Sequence, residues 1–109
     1  MWKVEFVNQK ASDEFESLPK DIRARMLHLI KKLEVKGNTL GEPHTKSLGN
    51  GMFEIRAKSS EGVARSMYCY RIGKVILILV IAVKKQDKLP KSVMEIAKKR
   101  LEEFINGNN

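Results

Sequence analysis

The chain is 109 residues long, 42% hydrophobic and 31% charged, which is one domain with enough apolar material for a core. Three prolines, seven glycines and a single cysteine exclude a collagen-like repeat, a disulfide framework and a thiolate metal centre. Basic residues number 21 against 13 acidic ones, a net charge of +8, and the excess is uneven: residues 44–100 hold thirteen basic and four acidic side chains, whereas residues 1–43 hold eight and seven. So basic a half fits either a polyanionic partner, such as RNA, DNA or an acidic protein, or a basic surface that only keeps the chain soluble.

The longest apolar run, Val75–Val83, spans nine residues, far short of the ~20 that cross a bilayer. Lys3 and Glu5 interrupt the start, where a secretory signal would be apolar. The sequence therefore predicts one soluble, cytoplasmic domain over residues 1–109, with no membrane partner.

Trp2–Val7 alternates, with Trp2, Val4 and Phe6 on one side, and predicts a short strand with one face buried. Asn8–Ser12 reads as a polar connection, with Ser12 capping a short helix through Leu18. Pro19 suits a helix start. From Asp21 the residues Ile22, Met26, Leu29, Ile30 and Leu33 recur at spacings of three and four. They predict an amphipathic helix to about Lys36, ended by Gly37 in a left-handed conformation. Asn38–Gly51 is rich in Gly, Pro, Asn and Thr and reads as a loop.

Three antiparallel strands follow. Met52–Lys58 alternates, placing Phe53, Ile55 and Ala57 on one face and Met52, Glu54, Arg56 and Lys58 on the other. Val63–Ile72 puts Arg65, Met67, Cys69 and Arg71 together, opposite Ser66, Tyr68 and Tyr70. Gly73-Lys74 forms a tight hairpin turn. Val75–Val83 is uninterrupted and β-branched, the pattern of a central strand covered on both faces. The first strand should pair beside it, because a central strand needs two neighbours. Lys84–Lys88 is a basic exit loop. A last helix opens at Pro90, with Val93, Ile96, Ala97, Leu101, Phe104 and Ile105 at helical spacing, and ends at Gly107. The sum is an α+β domain: a strand, two helices, a three-stranded meander and a C-terminal helix, with four strands in one sheet.

No phosphate loop, zinc spacing or Ser/His/Asp set is present. RNA cleavage needs none of these, because RNA carries its own nucleophile, the 2′-hydroxyl. The protein must place the phosphate, neutralise charge growing on its oxygens and move protons. Arginine serves the first two tasks, being bidentate and permanently charged. Arg56 and Arg65 lie on successive strands close to the turn, where they can face each other. Lys84 and Lys85 leave the next strand, and Lys88 and Lys91 follow. The same residues allow a plainer arrangement, in which Glu54 pairs with one arginine and the lysines solubilise a strand exit. Tyr68 and Tyr70 fall on the face opposite Arg65 and read as packing, although Tyr70 stacks on a base if its face is open. His28 sits beside the apolar stripe of its helix and reads as bordering the core. His44 is a lone loop histidine, and Cys69 a small buried residue.

The segments Leu48-Gly49-Asn50-Gly51-Met52-Phe53-Glu54-Ile55-Arg56, Arg65 with Tyr68 and Tyr70, the apolar strand ending Val83-Lys84-Lys85, and Leu89-Pro90-Lys91 with Ala97 and Arg100 form an ordered set. Together they resemble the phage Gp49-like, HigB-type branch of the RelE/ParE toxin superfamily, over nearly the whole chain. The resemblance implies a RelE-like fold and the toxin of a type II toxin–antitoxin pair, a ribosome-dependent mRNA endonuclease using the 2′-hydroxyl route without metal or cofactor. It implies a small helix-turn-helix antitoxin that also represses the operon, so that operator DNA is met only through that partner. By position, Arg65 matches the arginine that contacts the scissile phosphate, Arg56 the basic residue on the strand before it, and Lys84 or Lys85 the basic position at the end of the central strand. Lys58, Lys88, Lys91 and Tyr70 are then the RNA-binding residues. No tyrosine lies between Lys84 and Asn109, where RelE itself carries one, so proton transfer falls to Lys84, Lys85 or Lys91. Two alternatives are a non-catalytic, ParE-like inhibitor of DNA gyrase and an inactive relic that binds RNA or antitoxin.

Overall fold

The structure is a computed structural model describing residues 1–60, 62–84 and 91–107. The described residues form, in chain order, β1 (Lys3–Phe6), α1 (Gln9–Glu16), α2 (Lys20–Lys36), a 3₁₀ turn (Gly37–Thr39), β2 (Thr45–Gly49), β3 (Met52–Ser59), β4 (Gly62–Arg71), β5 (Val75–Lys84) and α3 (Lys91–Gly107). None of these helices is long and apolar enough to cross a membrane.

The first helix starts earlier than the sequence suggested. Asn8, not Ser12, is its cap: the Asn8 side chain accepts a 2.9 Å hydrogen bond from the Ala11 amide. Asn caps as well as Ser. Gln9 and Lys10 are on the solvated side of this helix, whereas its inward residue, Ala11, is fully buried. In α2 the residues Ile22, Met26, Ile30 and Leu33 are buried, which gives the expected single apolar stripe. Gly37 ends α2 with φ 53° and ψ −130°, a region that residues with a Cβ scarcely enter. A Cβ there would lie inside the Trp2 indole, and the Trp2 amide donates to the Glu34 carbonyl at 2.8 Å. Gly37 thus ends the helix and makes room for the first strand.

The described strands form one five-stranded sheet in the order β1-β5-β4-β3-β2, one strand more than expected. The addition is β2, which pairs antiparallel with β3 from Thr45↔Ile55 to Gly49↔Met52 with an irregularity between Ser47 and Gly49. Its polar residues carry no periodic apolar signal, so its sequence has the composition of a loop, which also suits a short edge strand. β1 pairs parallel to β5, from Lys3↔Val75 to Phe6↔Ile78, as the two-neighbour argument required. β4 takes the middle of the order, with β5 beside it.

Both faces of the sheet are covered. One core contains Ile22, Met26, Ile30 and Leu33 of α2 against Ile55, Ala57, Tyr68, Ile76 and Ile78. The other contains Ala11 of α1 and Val93 and Ala97 of α3 against Met52, Met67, Cys69, Leu77 and Leu79. Alternation slips once along β5. Met67 pairs with Val80 but Tyr68 with Ile78, so Leu79 is the extra residue of a β-bulge, and Leu79 and Val80 both enter the second core. A bulge leaves local backbone groups without strand partners. Two charged side chains fill that need: the Ile81 amide donates to Glu14 Oε1 at 3.0 Å, and Arg100 Nη1 donates to the Leu79 carbonyl at 3.1 Å. Arg100 also binds the Glu14 carboxylate through both terminal nitrogens, at 2.9 and 2.7 Å. This fork ties α1 and α3 to the bulge.

Candidate functional site

The alternation of β3 puts Met52, Glu54, Arg56 and Lys58 on one face, and antiparallel register fixes what each meets on β4. Arg56 stands opposite Arg65, and Arg65 opposite Ala82 of β5. Two residues farther, Lys58 stands opposite Val63, and Val63 opposite Lys84. Directly opposed residues share a face. The arginines are therefore brought together, with Lys58 and the Lys84 position in the next row of that face.

Two facing guanidiniums repel each other, and Glu54 answers both. Its Oε1 lies 3.0 Å from Arg65 Nη1 and 3.3 Å from Arg56 Nε. The environments of the three differ sharply. The Glu54 and Arg65 side chains are each 4% exposed, whereas that of Arg56 is 37% exposed. Arginine stays charged at any physiological pH, so the buried Arg65 needs the carboxylate. Among the described residues its buried Nε has no hydrogen-bond partner. The trio carries a net charge of +1, presented to solvent through Arg56. The sequence reading allowed Glu54 one arginine; it holds both.

The other predicted site residues divide. Lys58 is exposed beside Arg56, and Lys91 is exposed at the first position of α3. Lys84 closes β5. Lys85 and Lys88 lie outside the described residues. Tyr70 lies on the opposite face of the sheet, in an aromatic cluster with Trp2 at 5.2 Å, Phe53 at 5.1 Å and Tyr68 at 5.7 Å between ring centroids. The fold does not bring it to the arginines. Burial pushes the Tyr70 and Tyr68 phenols up from their ordinary value and raises the Cys69 thiol as well. His28, expected to border the core, is exposed on α2, because the buried stripe runs through Met26, Ile30 and Leu33. Among the described residues no three His, Cys, Asp or Glu side chains converge to hold a metal.

The sequence reading missed the Glu14–Arg100 fork. Neither residue carries a local signal for it, since the two are 86 positions apart and the bulge that needs them is set by packing.

The profile of the family described as "Phage derived protein Gp49-like" matches residues 13–102. No curated protein matches the sequence. The fold is similar to a chain in the crystal structure of the archaeal RelE-RelB complex from Pyrococcus horikoshii OT3, with a TM-score of 0.56 and 22% sequence identity, covering 80% of this chain and 98% of that one.

Proposed function

This chain belongs to the phage-derived Gp49-like family, and from that premise we propose that it is the toxin of a type II toxin–antitoxin pair, a metal-independent, ribosome-dependent mRNA endonuclease of the cytoplasm. The likeness to a chain of a RelE-RelB complex supports the fold this reading needs. The thirteen basic residues among positions 44–100 support a polyanionic ligand.

The observation that carries the reading is the Arg56–Arg65 row, with Glu54 between them and Lys58 one row beyond. A phosphate arriving at this face meets the partly exposed Arg56 guanidinium, already oriented by Glu54. The RNA 2′-hydroxyl attacks the adjacent phosphorus, and the bond to the 5′-oxygen breaks, leaving a 2′,3′-cyclic phosphate and a 5′-hydroxyl. Arg56 neutralises charge on the non-bridging oxygens. Arg65, buried against Glu54, is a positioning residue that keeps the carboxylate and so Arg56 in place. Lys58 and Lys91 take flanking phosphates. Lys84 or Lys85 removes the 2′-proton and returns one to the leaving oxygen, and clustered positive charge favours the neutral amine this requires. A helix-turn-helix antitoxin neutralises the face and alone contacts operator DNA.

The burial of Arg65 favours a second reading, in which the same basic face binds without catalysis and poisons DNA gyrase. One culture separates them. mRNA cut within translated codons, at normal plasmid supercoiling, supports the nuclease. Intact mRNA with altered supercoiling supports the gyrase inhibitor.

A further inference from the structure

β3 loses one neighbour halfway along. β2 accompanies it from Met52 to Ile55, whereas β4 pairs with it as far as Ser59. Among the described residues no strand lies beside Arg56–Lys58 on the β2 side. That stretch opens onto a cavity of ≈ 650 Å³ lined by Arg56, Ala57 and Lys58 in succession. Successive side chains of a strand point to opposite faces, so a cavity that touches all three touches the backbone edge. The facing wall is α2, through Ala24, Arg25, His28 and Leu29, and Pro43 also lines the cavity.

We propose that this groove receives an extended acidic segment of a partner protein, added as a short sixth strand to the free edge of β3. An unpaired edge offers main-chain donors and acceptors to such a segment, and three residues give about 10 Å of pairing at the ordinary strand rise. The guest's side chains alternate. Those turned towards α2 meet Ala24, Leu29 and Ala57 and are small and apolar. Those turned the other way meet the face of Arg56 and Lys58 and are acidic. Arg25, Arg56 and Lys58 make the lining cationic, and among the described residues no acidic side chain lines it. The same charges repel a second copy of this chain, which would bring its own basic edge. An acidic strand is admitted where a like strand is refused. Bound there, it covers Arg56; that this silences RNA cleavage rests on the function proposed above, whereas the docking does not.

The test uses the full chain and a capped eight-residue peptide alternating glutamate and valine, followed by fluorescence anisotropy and amide hydrogen exchange. The expected result is saturable binding, new protection within Arg56–Lys58, no binding of the lysine–valine counterpart, and a loss of about tenfold or more in affinity for Arg25→Glu. Absent binding, binding without protection at Arg56–Lys58, or unchanged affinity in Arg25→Glu overturns the proposal. So does a short oligouridylate that protects these residues when the acidic peptide does not, which makes the groove a nucleic-acid site. Peptide docking on a protein that cuts no RNA leaves this inference standing and removes the nuclease; RNA cleavage by a protein indifferent to the peptide does the reverse.

Discussion

Arg65 donates to Glu54 across β4 and β3 at 3.0 Å, with both side chains almost wholly out of water. An ion pair in that setting contributes little net stability relative to apolar packing, but losing one member is costly because the other is stranded. Arg65→Ala leaves Glu54 buried with only the long contact to Arg56. The expected loss is about 3 kcal/mol, seen as a fall in melting temperature of about 10 °C or more. A thermal melt indistinguishable from the parent would show that the pair is open to water in solution.

Arg56 is the complementary case. It is the most solvent-open member of the trio, so truncation spares the fold. Arg56→Ala is expected to melt within a few degrees of the parent and to cut mRNA in a translating extract about 10²–10³-fold more slowly, the usual effect of removing one donor to developing charge. Arg65→Lys, which retains a cation for Glu54, is expected to recover most of the stability lost in Arg65→Ala. If Arg56→Ala cleaves at the parental rate, the phosphate does not bind at this row.

The contrast between the two arginines marks what was legible in the sequence. Alternation gave the facing rows, because antiparallel register follows from a short turn and period two. It could not give depth. Alternation put Met52, Glu54, Arg56 and Lys58 on one face, and Met52 and Glu54 are buried there because α1 and α3 cover that side. A hint was present, since Met67 and Cys69 share the face and an amphipathic last helix needs somewhere to dock. β2 escaped because a polar edge strand is specified by its partner and not by its own pattern. The β5 bulge escaped because an unbroken apolar run has no alternation in which a slip can show.

Stability should fall on the alkaline side. Burial raises Cys69 from 9.0 and Tyr68 and Tyr70 from 10.0, so the unfolded chain ionises these groups first. Their contribution is intact below pH 9.0 and declines as pH climbs through the ordinary thiol and phenol values towards the raised ones. Denaturant midpoints should be flat up to that point and drop beyond it. Tyr68→Phe should weaken the drop. It should leave the midpoint at neutral pH nearly unchanged, because among the described residues the buried Tyr68 hydroxyl has no hydrogen-bond partner of good geometry. A Tyr68→Phe protein with the parental alkaline slope would contradict this.

Gly37 and Trp2 provide a probe of the first junction. Gly37→Ala places a methyl group where the indole lies and forces φ 53° on a residue that resists it. The backbone term alone is about 1–3 kcal/mol, and the indole must move as well. Trp2 is the sole tryptophan, so its emission reports directly: a red shift with lowered stability is expected. An unshifted spectrum would place the indole away from Gly37.

Glu14 and Arg100 act at the point where the sheet is irregular, and their effect should be local before it is global. The Ile81 amide has Glu14 Oε1 as its acceptor and the Leu79 carbonyl has Arg100 as its donor. In Glu14→Ala the Ile81 amide loses that acceptor and Arg100 loses both bonds to the carboxylate. Hydrogen bonds to charged groups contribute about 1.5–3 kcal/mol each, but both side chains are partly open to solvent, so the lower end applies. Glu14→Ala should therefore accelerate exchange at Ile81 far more than at Ile76 or Leu77, which precede the bulge on the same strand. Arg100→Ala should loosen α3 while leaving the Ile81 bond to Glu14 in place. The two variants then separate the fork's roles, one guarding the β5 backbone and the other anchoring the helix. Equal acceleration along all of β5 in Glu14→Ala would mean that the bulge is held by packing alone.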